Sequence, residues 1–557
     1  MKSDVESLVG QLFIAGLSGL EADSDFEARY SRCPCGGFIL FGRNVHDPAQ
    51  VKKLTCALSD LASQHGPDFG PPLVAIDQEG GTLSPLRGLV TSLPGNMGLA
   101  ATGDPEAARC AGHVTGRDLL SLGINANFAP VLDLAREPLN PAVGARSFGD
   151  DPRRVAEFGA AYANGLLDAG VLFVAKHFPG HGSVSEDSHF SLPECRIPKA
   201  DLIAGDAVPF IEVARLPQAA IMVAHVRFTD LDPERPASLS HPLVTGFLRE
   251  EIGFDGVVLT DCLEMGGVRE VGPVPEAAVM AIEAGCDIVL ISHTPELQGA
   301  AFEAVRDAVL SGRISLERVE RSVARIRRWK QGLAVAARAS SPRAVAQSLS
   351  LDDLGERVVT FVDGERPRSW TFGPGALVLV TPAMDQITLA EDSMDVSPFL
   401  QELESCGVRC ARVRCSMDPD PQEIQDVISL VEDSWRAMTG RTMTGPHRVG
   451  AAAGADCDRS ESSSADGAGV PLPRAALVVR NGGGAPGQAA LAAALEARWN
   501  LLLIGIRDPR EARPVQAALS RRAPALFAYS TESVVLSALA RVLAGEASPK
   551  GVIPVSM

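Results

Sequence analysis

Short apolar runs alternate with longer amphipathic segments over the first 333 residues of the chain. The apolar residues in each run are continuous, which is typical of strands buried on both faces and so of a parallel sheet. The segments between them are long enough for helices, and two of them end in glycine, a helix stop signal. Because seven runs are clear, the pattern predicts an α/β fold, a (β/α)8-type TIM barrel with one missing or irregular strand. The runs lie at residues 36–41, 73–77, 124–134, 171–178, 219–226, 255–261 and 286–292.

The 557-residue chain is too long for one core, so a second domain is expected. Apolar runs separated by helix-like segments recur in the C-terminal half, which indicates an αβα sandwich. We therefore divide the chain into a catalytic TIM-barrel domain (1–333), a linker (334–370) and a C-terminal α/β sandwich domain (371–557). A stretch rich in Gly, Ala and Ser predicts a flexible insertion at residues 439–471.

The formal net charge is −18, from 51 Lys and Arg against 69 Asp and Glu. Such a charge disfavours nucleic acid and anionic membranes as partners. The N-terminus carries acids where a signal peptide would carry basic residues, and no run approaches the roughly 18 apolar residues of a membrane span. The 11 cysteines include no spaced second pair for zinc and are expected to be reduced thiols. These features predict a cytoplasmic protein.

Polar side chains stand at the ends of six predicted strands. In a barrel these ends meet on one rim, which is where the fold carries its chemistry. Asp133 could instead be a helix cap or a turn former, and His225 a hydrogen-bonded wall residue. Six such ends together are harder to explain as capping, so we expect a functional site at this rim. The residues are Asp77, Asp133, Lys176 with His177, His225, Asp261, and Ser292 with His293.

The densest group of candidate residues lies in AKHFPGHGSVSEDSH, residues 175–189. An apolar strand leads into this segment, and Gly and Pro then turn the chain. The spacing of Asp187 and His189 suits a carboxylate that orients an imidazole and favours its charged form. The segment therefore predicts a polar loop at a strand end with an acid–base pair in it.

Five segments resemble, in the same order, the bacterial β-N-acetylglucosaminidases of glycoside hydrolase family 3. The KHFPGHG block followed by Asp-Ser-His is specific for the branch that uses a His/Asp dyad. The resemblance spans nearly all of residues 1–330 and implies a retaining mechanism with a covalent glycosyl-enzyme. The segments are GGFILFGRNVHDP (36–48), VAIDQEGG (74–81), GARSFGDDP (144–152), KHFPGHGSVSEDSH (176–189) and GFDGVVLTDCLEM (253–265).

The resemblance implies a role for each matching residue. Asp261 is similar to the nucleophile, and we expect Thr260 and the following backbone to keep it ionised by hydrogen bonding. His189 is similar to the general acid/base, and Asp187 is its partner. Asp77 is implied to accept hydrogen bonds from sugar hydroxyls. The residues implied to donate to the hydroxyls and the N-acetyl region are Lys176, His177 and Arg146.

The chain departs from the family pattern after its DQEGG motif. The family usually reads DQEGGRVxR, whereas this chain reads DQEGGTLSPLRG, so Thr82 and Pro85 replace both arginines. Only Arg87 remains, two places late, and we expect it to be an ordinary surface arginine. The family's anhydromuropeptide preference is therefore not carried over.

Together these observations predict an exo-acting retaining β-N-acetylglucosaminidase that releases terminal GlcNAc from cell-wall fragments or chitooligosaccharides, with no cofactor. The alternative is a β-N-acetylglucosaminide phosphorylase. A histidine acid/base does not repel phosphate as a glutamate would, and Lys176 and Arg146 would add positive charge. The expected partners are a small carbohydrate substrate and, for the alternative, inorganic phosphate; the sequence leaves the oligomeric state open.

A metal-dependent hydrolase is the weaker alternative. Its ligands would be His177, His181, Asp187 and His189, yet three of these lie in a Gly-rich loop, where metal ligands would be poorly fixed. We therefore expect no metal. A non-catalytic sugar-binding relative would be expected to lack Asp261 or His189, and the chain has both.

Overall fold

The computed structural model describes residues 2–65, 69–138, 140–339, 350–362, 376–383, 396–440, 474–480, 484–520 and 523–556. The insertion predicted at 439–471 lies outside the described residues from position 441 onward. Two parallel sheets, each flanked by helices, organise the described part of the chain. Within it, no helix combines the length and the apolar character that a membrane crossing requires.

The N-terminal half is a closed parallel barrel. Its sheet has the order β5-β4-β3-β2-β1-β11-β10-β8-β6, with every pairing parallel. The two end strands are halves of one segment, separated only by Val174, so the sheet closes into eight strand positions. A short parallel pair, β7 with β9, lies apart. The strands are β1 (Phe13–Gly16), β2 (Gly37–Leu40), β3 (Leu73–Ile76), β4 (Ala126–Asn127), β5 (Leu172–Phe173), β6 (Ala175–Phe178), β7 (Glu194–Cys195), β8 (Ala220–Val223), β9 (Arg227–Phe228), β10 (Val257–Cys262) and β11 (Ile288–Ile291).

The TIM-barrel prediction is confirmed, and the strand that the sequence pattern did not show is β1. It is only four residues long, FIAG, and it follows a helix directly. It nevertheless pairs with both β2 and β11 and closes the ring. The run predicted at 124–134 contributes a strand of only two residues, β4, before its chain continues as irregular backbone over the rim.

The outer layer of the barrel is helical, and local sequence sets its helix ends. Asp151 caps α6 by accepting the N–H of Arg154, and Gly170 ends it in the left-handed conformation (φ 100°) that glycine tolerates. A π-helix covers Pro242–Glu251. The α-helices are α1 (Lys2–Gly10), α2 (Ser24–Arg32), α3 (Pro48–His65), α4 (Asn96–Ala101), α5 (Pro105–Ser121), α6 (Pro152–Ala169), α7 (Lys199–Ala204), α8 (Val208–Val213), α9 (Gly266–Arg269), α10 (Val274–Ala284), α11 (Pro295–Leu310) and α12 (Leu316–Ala339).

The C-terminal half is a six-stranded sheet of order β12-β17-β16-β15-β13-β14, parallel except for β12. Within the range predicted as a linker, 334–370, the structure describes a helix and a strand that joins the edge of this sheet. The strands are β12 (Thr360–Val362), β13 (Ala376–Thr381), β14 (Arg409–Arg414), β15 (Arg474–Val479), β16 (Asn500–Gly505) and β17 (Ala525–Phe527). The helices are α13 (Leu351–Val358), α14 (Ser397–Ser405), α15 (Pro421–Thr439), α16 (Pro486–Glu496), α17 (Arg513–Ala517) and α18 (Ser533–Ala544).

The two halves share a buried interface. Four barrel-side residues pack in the core of the C-terminal domain rather than in that of the barrel. Polar contacts add to this packing: Arg510 Nη1 donates to the Ala135 carbonyl at 2.5 Å, and Val552 N donates to the Ala101 carbonyl at 2.8 Å. The C-terminal domain therefore supports the loops that follow β3 and β4. The four barrel-side residues are Met97, Ala101, Ala135 and Ala145.

Candidate active site

A cavity of about 150 Å³ opens at the carboxyl ends of the barrel strands. A larger cavity, about 450 Å³, lies beside helices α2 and α11, away from all the predicted site residues. Because the polar groups capable of chemistry gather in the smaller cavity, we assign the candidate active site there. The predicted residues that line it are Asp77, Arg146, Lys176, His177, His189 and Asp261.

One wall of the cavity is a cluster of four alternating charges. Lys176 Nζ lies 2.5 Å from Asp77 Oδ1 and 2.7 Å from Glu79 Oε1. Arg146 donates two parallel hydrogen bonds to the same Glu79 carboxylate, both of 2.8 Å. Its third contact is to the carbonyl of Ala142 at 2.5 Å. Two cations and two carboxylates therefore neutralise one another at the rim.

The cluster is mostly buried, and the ion pairs within it determine which of its groups are charged. Burial alone would raise the pKa of Glu79, but Arg146 and Lys176 lower it to about 2. Burial would lower the pKa of both cations, yet the adjacent carboxylates raise each of them. All three stay charged at neutral pH. Of the four side chains Asp77 is the most exposed, at 21%, which fits its expected role as an acceptor for hydroxyls.

Asp133 is buried and holds the segment 175–189 in place. Its carboxylate accepts from His177 Nδ1 at 2.7 Å and from the backbone N–H of His181 at 2.6 Å. Burial would raise the pKa of Asp133, but His177 lowers it below its usual value. The interpretation as a helix cap or turn former is wrong, because the carboxylate serves a distant segment. An ionised Asp133 can only accept, so Nδ1 of His177 carries a hydrogen and Nε2 faces the cavity.

Asp261 sits near the end of β10 with one side facing the cavity. Its Oδ1 accepts the N–H of Cys262 at 2.7 Å, and its Oδ2 lies 3.9 Å from His177 Nε2. Burial would raise the pKa of Asp261, but the neighbouring histidines and this N–H lower it to about 2. The expected help from the following backbone is present. The expected help from Thr260 is not seen. Its hydroxyl accepts the N–H of Leu290 at 3.2 Å, and the groups that lower the pKa of Asp261 are the histidines and the Cys262 N–H.

His225 lies fully buried beneath Asp261. Its ring bonds Ser238 Oγ at 2.7 Å and the carbonyl of Cys262 at 3.0 Å. Both ring nitrogens are thus engaged within the wall, and burial lowers the pKa of the imidazole. It is the hydrogen-bonded wall residue that the sequence allowed for, and it supports the nucleophile candidate from below.

Asp187 and His189 form the predicted pair. One oxygen of Asp187, Oδ1, accepts both the backbone N–H of His189 at 2.9 Å and its ring Nδ1 at 2.6 Å. The Asp187 side chain is 5% exposed and that of His189 is 26% exposed, so the imidazole is the part that faces the cavity. With Nδ1 held, Nε2 is the ring nitrogen left for proton transfer.

Backbone contacts dock this dyad beside Asp261. The N–H of Gly266 donates to the carbonyl of His189 at 3.1 Å, and that of Gly267 donates to the carbonyl of Ser188 at 3.2 Å. A Cβ on Gly266 would lie 2.5 Å from the carbonyl oxygen of Phe190, so only glycine fits there. Ser188 is held from the other side by His181 Nε2 at 3.0 Å. The loop is therefore fixed at both faces.

Arg87 does not stand in for the missing family arginines. Its Nη2 donates to the carbonyl of Gly81 at 2.6 Å, and its Nε lies 3.2 Å from Glu532 of the C-terminal domain. Arg87 therefore links the two domains, and the expectation that it is an ordinary surface arginine is wrong. The cavity is lined instead by Leu83 and Pro85, which makes this side of its mouth apolar.

The four residues considered as metal ligands do not converge. His177 and His189 each commit Nδ1 to a carboxylate, and His181 commits Nε2 to Ser188. Burial lowers the pKa of His181 to about 4, so it stays neutral. Over the ranges that the structure describes, no group of three or more His, Cys, Asp or Glu side chains is arranged to hold a metal ion.

Glu79 is the important site residue that sequence reasoning missed. It lies two places after Asp77 in DQEGG, so the strand alternation could have placed both on one side. Nothing in the sequence shows that Arg146, 67 positions away, would meet it. The pairing of Asp133 with His177 and His181 was likewise hidden, because it joins separate strands.

The architecture and cavity define the class: an α/β-barrel enzyme with its polar residues gathered at the carboxyl-terminal rim. The profile of the glycosyl hydrolase family 3 N terminal domain matches residues 7–329, more than half of the chain. The chain therefore belongs to glycoside hydrolase family 3.

Similar proteins extend this assignment. A beta-hexosaminidase of Alkalilimnicola ehrlichii is 37% identical over 342 residues, 58% of this chain and 95% of that protein. Beta-hexosaminidase A of Pseudoalteromonas piscicida is 37% identical over 326 residues, but the match spans only 54% of its length and 54% of this chain. A solved family 3 beta-N-acetylglucosaminidase from Paenibacillus sp. str. FPU-7 is 34% identical, with a TM-score of 0.83 over 99% of this chain and 98% of that one.

Removing the charge of Glu79 should destabilise the protein strongly. In Glu79→Gln, Arg146 and Lys176 lose their shared carboxylate, and breaking a buried ion pair costs about 3–5 kcal/mol. The folded-state pKa lies below the ordinary 4.5, so Glu79 contributes its full stability above pH 4.5 and loses it as pH falls toward 2. Unfolding free energies of wild type and variant should thus converge on acidification. Glu21→Gln, which breaks an exposed pair with Lys53, is the control and should change little. A Glu79→Gln variant as stable as the wild type at pH 7 would show that this buried ion pair does not stabilise the fold.

Gly266→Ala should impair turnover more than folding. The new methyl would press on the Phe190 carbonyl and move the dyad away from Asp261. A displacement of about 1 Å at a reacting group can cost roughly 10²-fold in rate. Kinetics and thermal unfolding should be measured beside Gly272→Ala, where a Cβ meets nothing within 4 Å. Equal activities in the two variants would show that the Gly266 contact does not position the dyad.

Proposed function

We propose that this protein is an exo-acting, retaining β-N-acetylglucosaminidase that releases terminal GlcNAc from cell-wall fragments or chitooligosaccharides. The observation that carries the proposal is the pairing, in one strand-end cavity, of an ionised carboxylate with an imidazole held by a second carboxylate. The names of the similar family members support it, and so does the near-complete structural match to a family 3 beta-N-acetylglucosaminidase.

In the first step Asp261 attacks the anomeric carbon and the bond to the leaving-group oxygen breaks. Because its pKa lies near 2, Asp261 is a carboxylate throughout the physiological range. His189, as the imidazolium, gives its Nε2 proton to the departing oxygen. Asp187 fixes the ring through Nδ1, so that Nε2 is the nitrogen that exchanges the proton. The products of this step are a glycosyl ester on Asp261, a neutral His189 and the free leaving group.

In the second step the roles of His189 reverse. Neutral Nε2 takes a proton from water as that water attacks the anomeric carbon, and the ester bond to Asp261 breaks. Two inversions at one carbon give net retention. The enzyme then holds its starting protonation states, with GlcNAc released.

Sugar binding falls to the charged wall opposite the dyad. Asp77 accepts from hydroxyls, and the remaining N–H groups of Lys176 and Arg146, with His177 Nε2, face the ring. Since Glu79 and Ala142 fix the Arg146 guanidinium, these donors are preorganised. The same buried wall closes the cavity beyond the sugar, which fits removal of a terminal residue rather than cleavage within a chain.

Charge pairing favours water over phosphate as the second nucleophile. The argument for a phosphorylase relied on positive charge from Lys176 and Arg146, but both cations are neutralised by Asp77 and Glu79. An incoming phosphate would also face ionised Asp133 close behind His177. We also propose a cytoplasmic location, because the cysteines in the described part of the chain are all free thiols.

Product analysis tests the reaction directly. Wild-type protein given para-nitrophenyl GlcNAc or chitobiose should release free GlcNAc, with the same product in millimolar phosphate. Asp261→Asn should abolish turnover while circular dichroism shows an unchanged fold, because the amide cannot form the ester. Accumulation of GlcNAc-1-phosphate would replace the hydrolase with the phosphorylase, and a turning-over Asp261→Asn would remove the nucleophile assignment.

The role of His189 should appear as a dependence on the leaving group. His189→Ala should lose roughly 10²–10⁴-fold on chitobiose, the usual value of general acid catalysis. Aryl glycosides with acidic phenols need little protonation and should lose less in the first step. Asp187→Asn should show the same pattern more weakly. If both substrate types slowed equally, His189 would be binding the sugar rather than transferring protons.

A further inference from the structure

A fourth histidine, His293, lines the cavity and has no role in the chemistry described above. It follows β11 and is exposed, with its backbone N–H donating to Glu264 Oε2 at 2.7 Å. Glu264 also accepts the next N–H, that of Thr294, at 2.9 Å. The chain bearing His293 is therefore fixed, and its ring is presented to the cavity.

Arg43 holds the ring of His293 from behind. Its Nη1 lies 3.1 Å from His293 Nδ1, while Nε donates to the Leu17 carbonyl at 2.8 Å and Nη2 to that of Ser292 at 2.6 Å. The guanidinium also lies 4.4 Å from the centroid of the Phe41 ring, which is 5.2 Å from the His293 ring. Each of the three guanidinium nitrogens thus has a partner, and the guanidinium also packs on the Phe41 ring.

This contact decides the tautomer of His293. A guanidinium has only donors, so His293 Nδ1 must accept and cannot carry a hydrogen. Although the residue is exposed at the cavity, partial desolvation of its ring, followed by the charge of Arg43, lowers the pKa of His293 and so favours the neutral ring at physiological pH. The single N–H of the imidazole is then on Nε2, which has no hydrogen-bond partner in the described part of the chain. His293 is a fixed donor at the cavity.

The position of this donor is set by the barrel. Around the eight strand positions, β11 stands opposite β4, whose following loop carries Arg146. It is also the neighbour of β10, which carries Asp261. If the wall at Asp77, Lys176 and Arg146 binds the terminal sugar, His293 lies beyond the anomeric carbon, on the leaving-group side. Its pKa responds to the charge of His189, so the two imidazoles are near one another.

The surroundings of His293 suit an uncharged leaving group. Leu83, Pro85 and Phe41 line this part of the cavity. The cationic side chains on the cavity, Lys176 and Arg146, are both paired with carboxylates. Arg43 is not part of the lining; it lies behind the His293 ring, where its guanidinium donates to two carbonyls and to that ring.

We propose that His293 is a specificity-determining residue whose Nε2–H donates to a hydroxyl or ring oxygen of a neutral sugar that forms the leaving group. The proposal rests on the proposed glycosidase function and assigns the sugar next to the scissile bond. Arg43 is the positioning residue, since it fixes the tautomer and orientation of the ring without facing the cavity.

The test compares two substrates across matched variants. Chitobiose has a sugar as its leaving group, whereas para-nitrophenyl GlcNAc has no hydroxyl there. His293→Phe should lose about tenfold in kcat/KM on chitobiose, the value of one hydrogen bond of about 1.4 kcal/mol. The loss should lie mainly in KM, because the contact exists before and during bond breaking. On the aryl glycoside the change should stay within about twofold.

His293→Gln is the matched control. Its side-chain N–H₂ reaches a position similar to that of Nε2 and should restore most of the chitobiose activity, whereas a merely structural role would not be rescued selectively for one substrate. A loss in His293→Phe that is equal on both substrates, or absent from both, would overturn the proposal. Wild-type turnover of the aryl glycoside keeps this outcome separate from failure of the glycosidase assignment itself.

The neutrality of the leaving group has its own comparison. A disaccharide whose second sugar bears a carboxylate should be cleaved with a lower kcat/KM than chitobiose. In His293→Phe the difference in kcat/KM between the two disaccharides should be smaller, because only the neutral substrate loses the hydrogen bond from His293 Nε2. A wild-type preference for the carboxylated sugar would overturn the assignment of a neutral one.

Discussion

Closure of the parallel sheet is the constraint on which the site depends. Once eight strand positions form a ring, every carboxyl end must lie on one rim, so residues far apart in the chain are forced together. Asp261 and Asp133 come from different strands and yet share His177 between them. The short strand β1 is essential to this arrangement, because it is the link between β2 and β11. Without it the ring would open beside His293.

Gathering so many ionisable groups in a dry rim requires that charges be balanced locally. The protein solves this by pairing Arg146 and Lys176 with Glu79 and Asp77, and by giving Asp133 and Asp261 a common imidazole neighbour. An isolated buried charge would cost far more than these pairs. The result is a wall that offers hydrogen bonds to a neutral sugar but little net charge to an anion. The preference for a neutral sugar thus follows from the same charge pairing that allows the fold to bury these ionised groups.

Local signals in the sequence were sufficient for the barrel, for the position of Asp261 at a strand end and for the Asp187–His189 pair, whereas the roles of these residues came from the family resemblance. Asp187 and His189 are two residues apart, so their contact depends on local geometry, and Asp261 ends an unmistakable apolar run. Glu79 with Arg146, and Asp133 with His177, are contacts over 67 and 44 positions, which no local pattern encodes. The misjudged role of Arg87 has the same cause, because its partner Glu532 belongs to the other domain. The strand β1 was missed because it begins at Phe13, with only two residues between it and the end of α1 at Gly10, so no clear loop separates its apolar run from the helix.

The interface between the domains has a consequence for how this chain could change over generations. Met97, Ala101, Ala135 and Ala145 belong to the barrel half but are enclosed by the C-terminal core, and Arg510 satisfies the Ala135 carbonyl. Deleting the second domain would expose this apolar patch to water, leave that carbonyl without Arg510 and remove Glu532 from Arg87. A deletion that removed the C-terminal half in one step would therefore leave the barrel with an exposed apolar patch. Several polar substitutions on the barrel would have to come first.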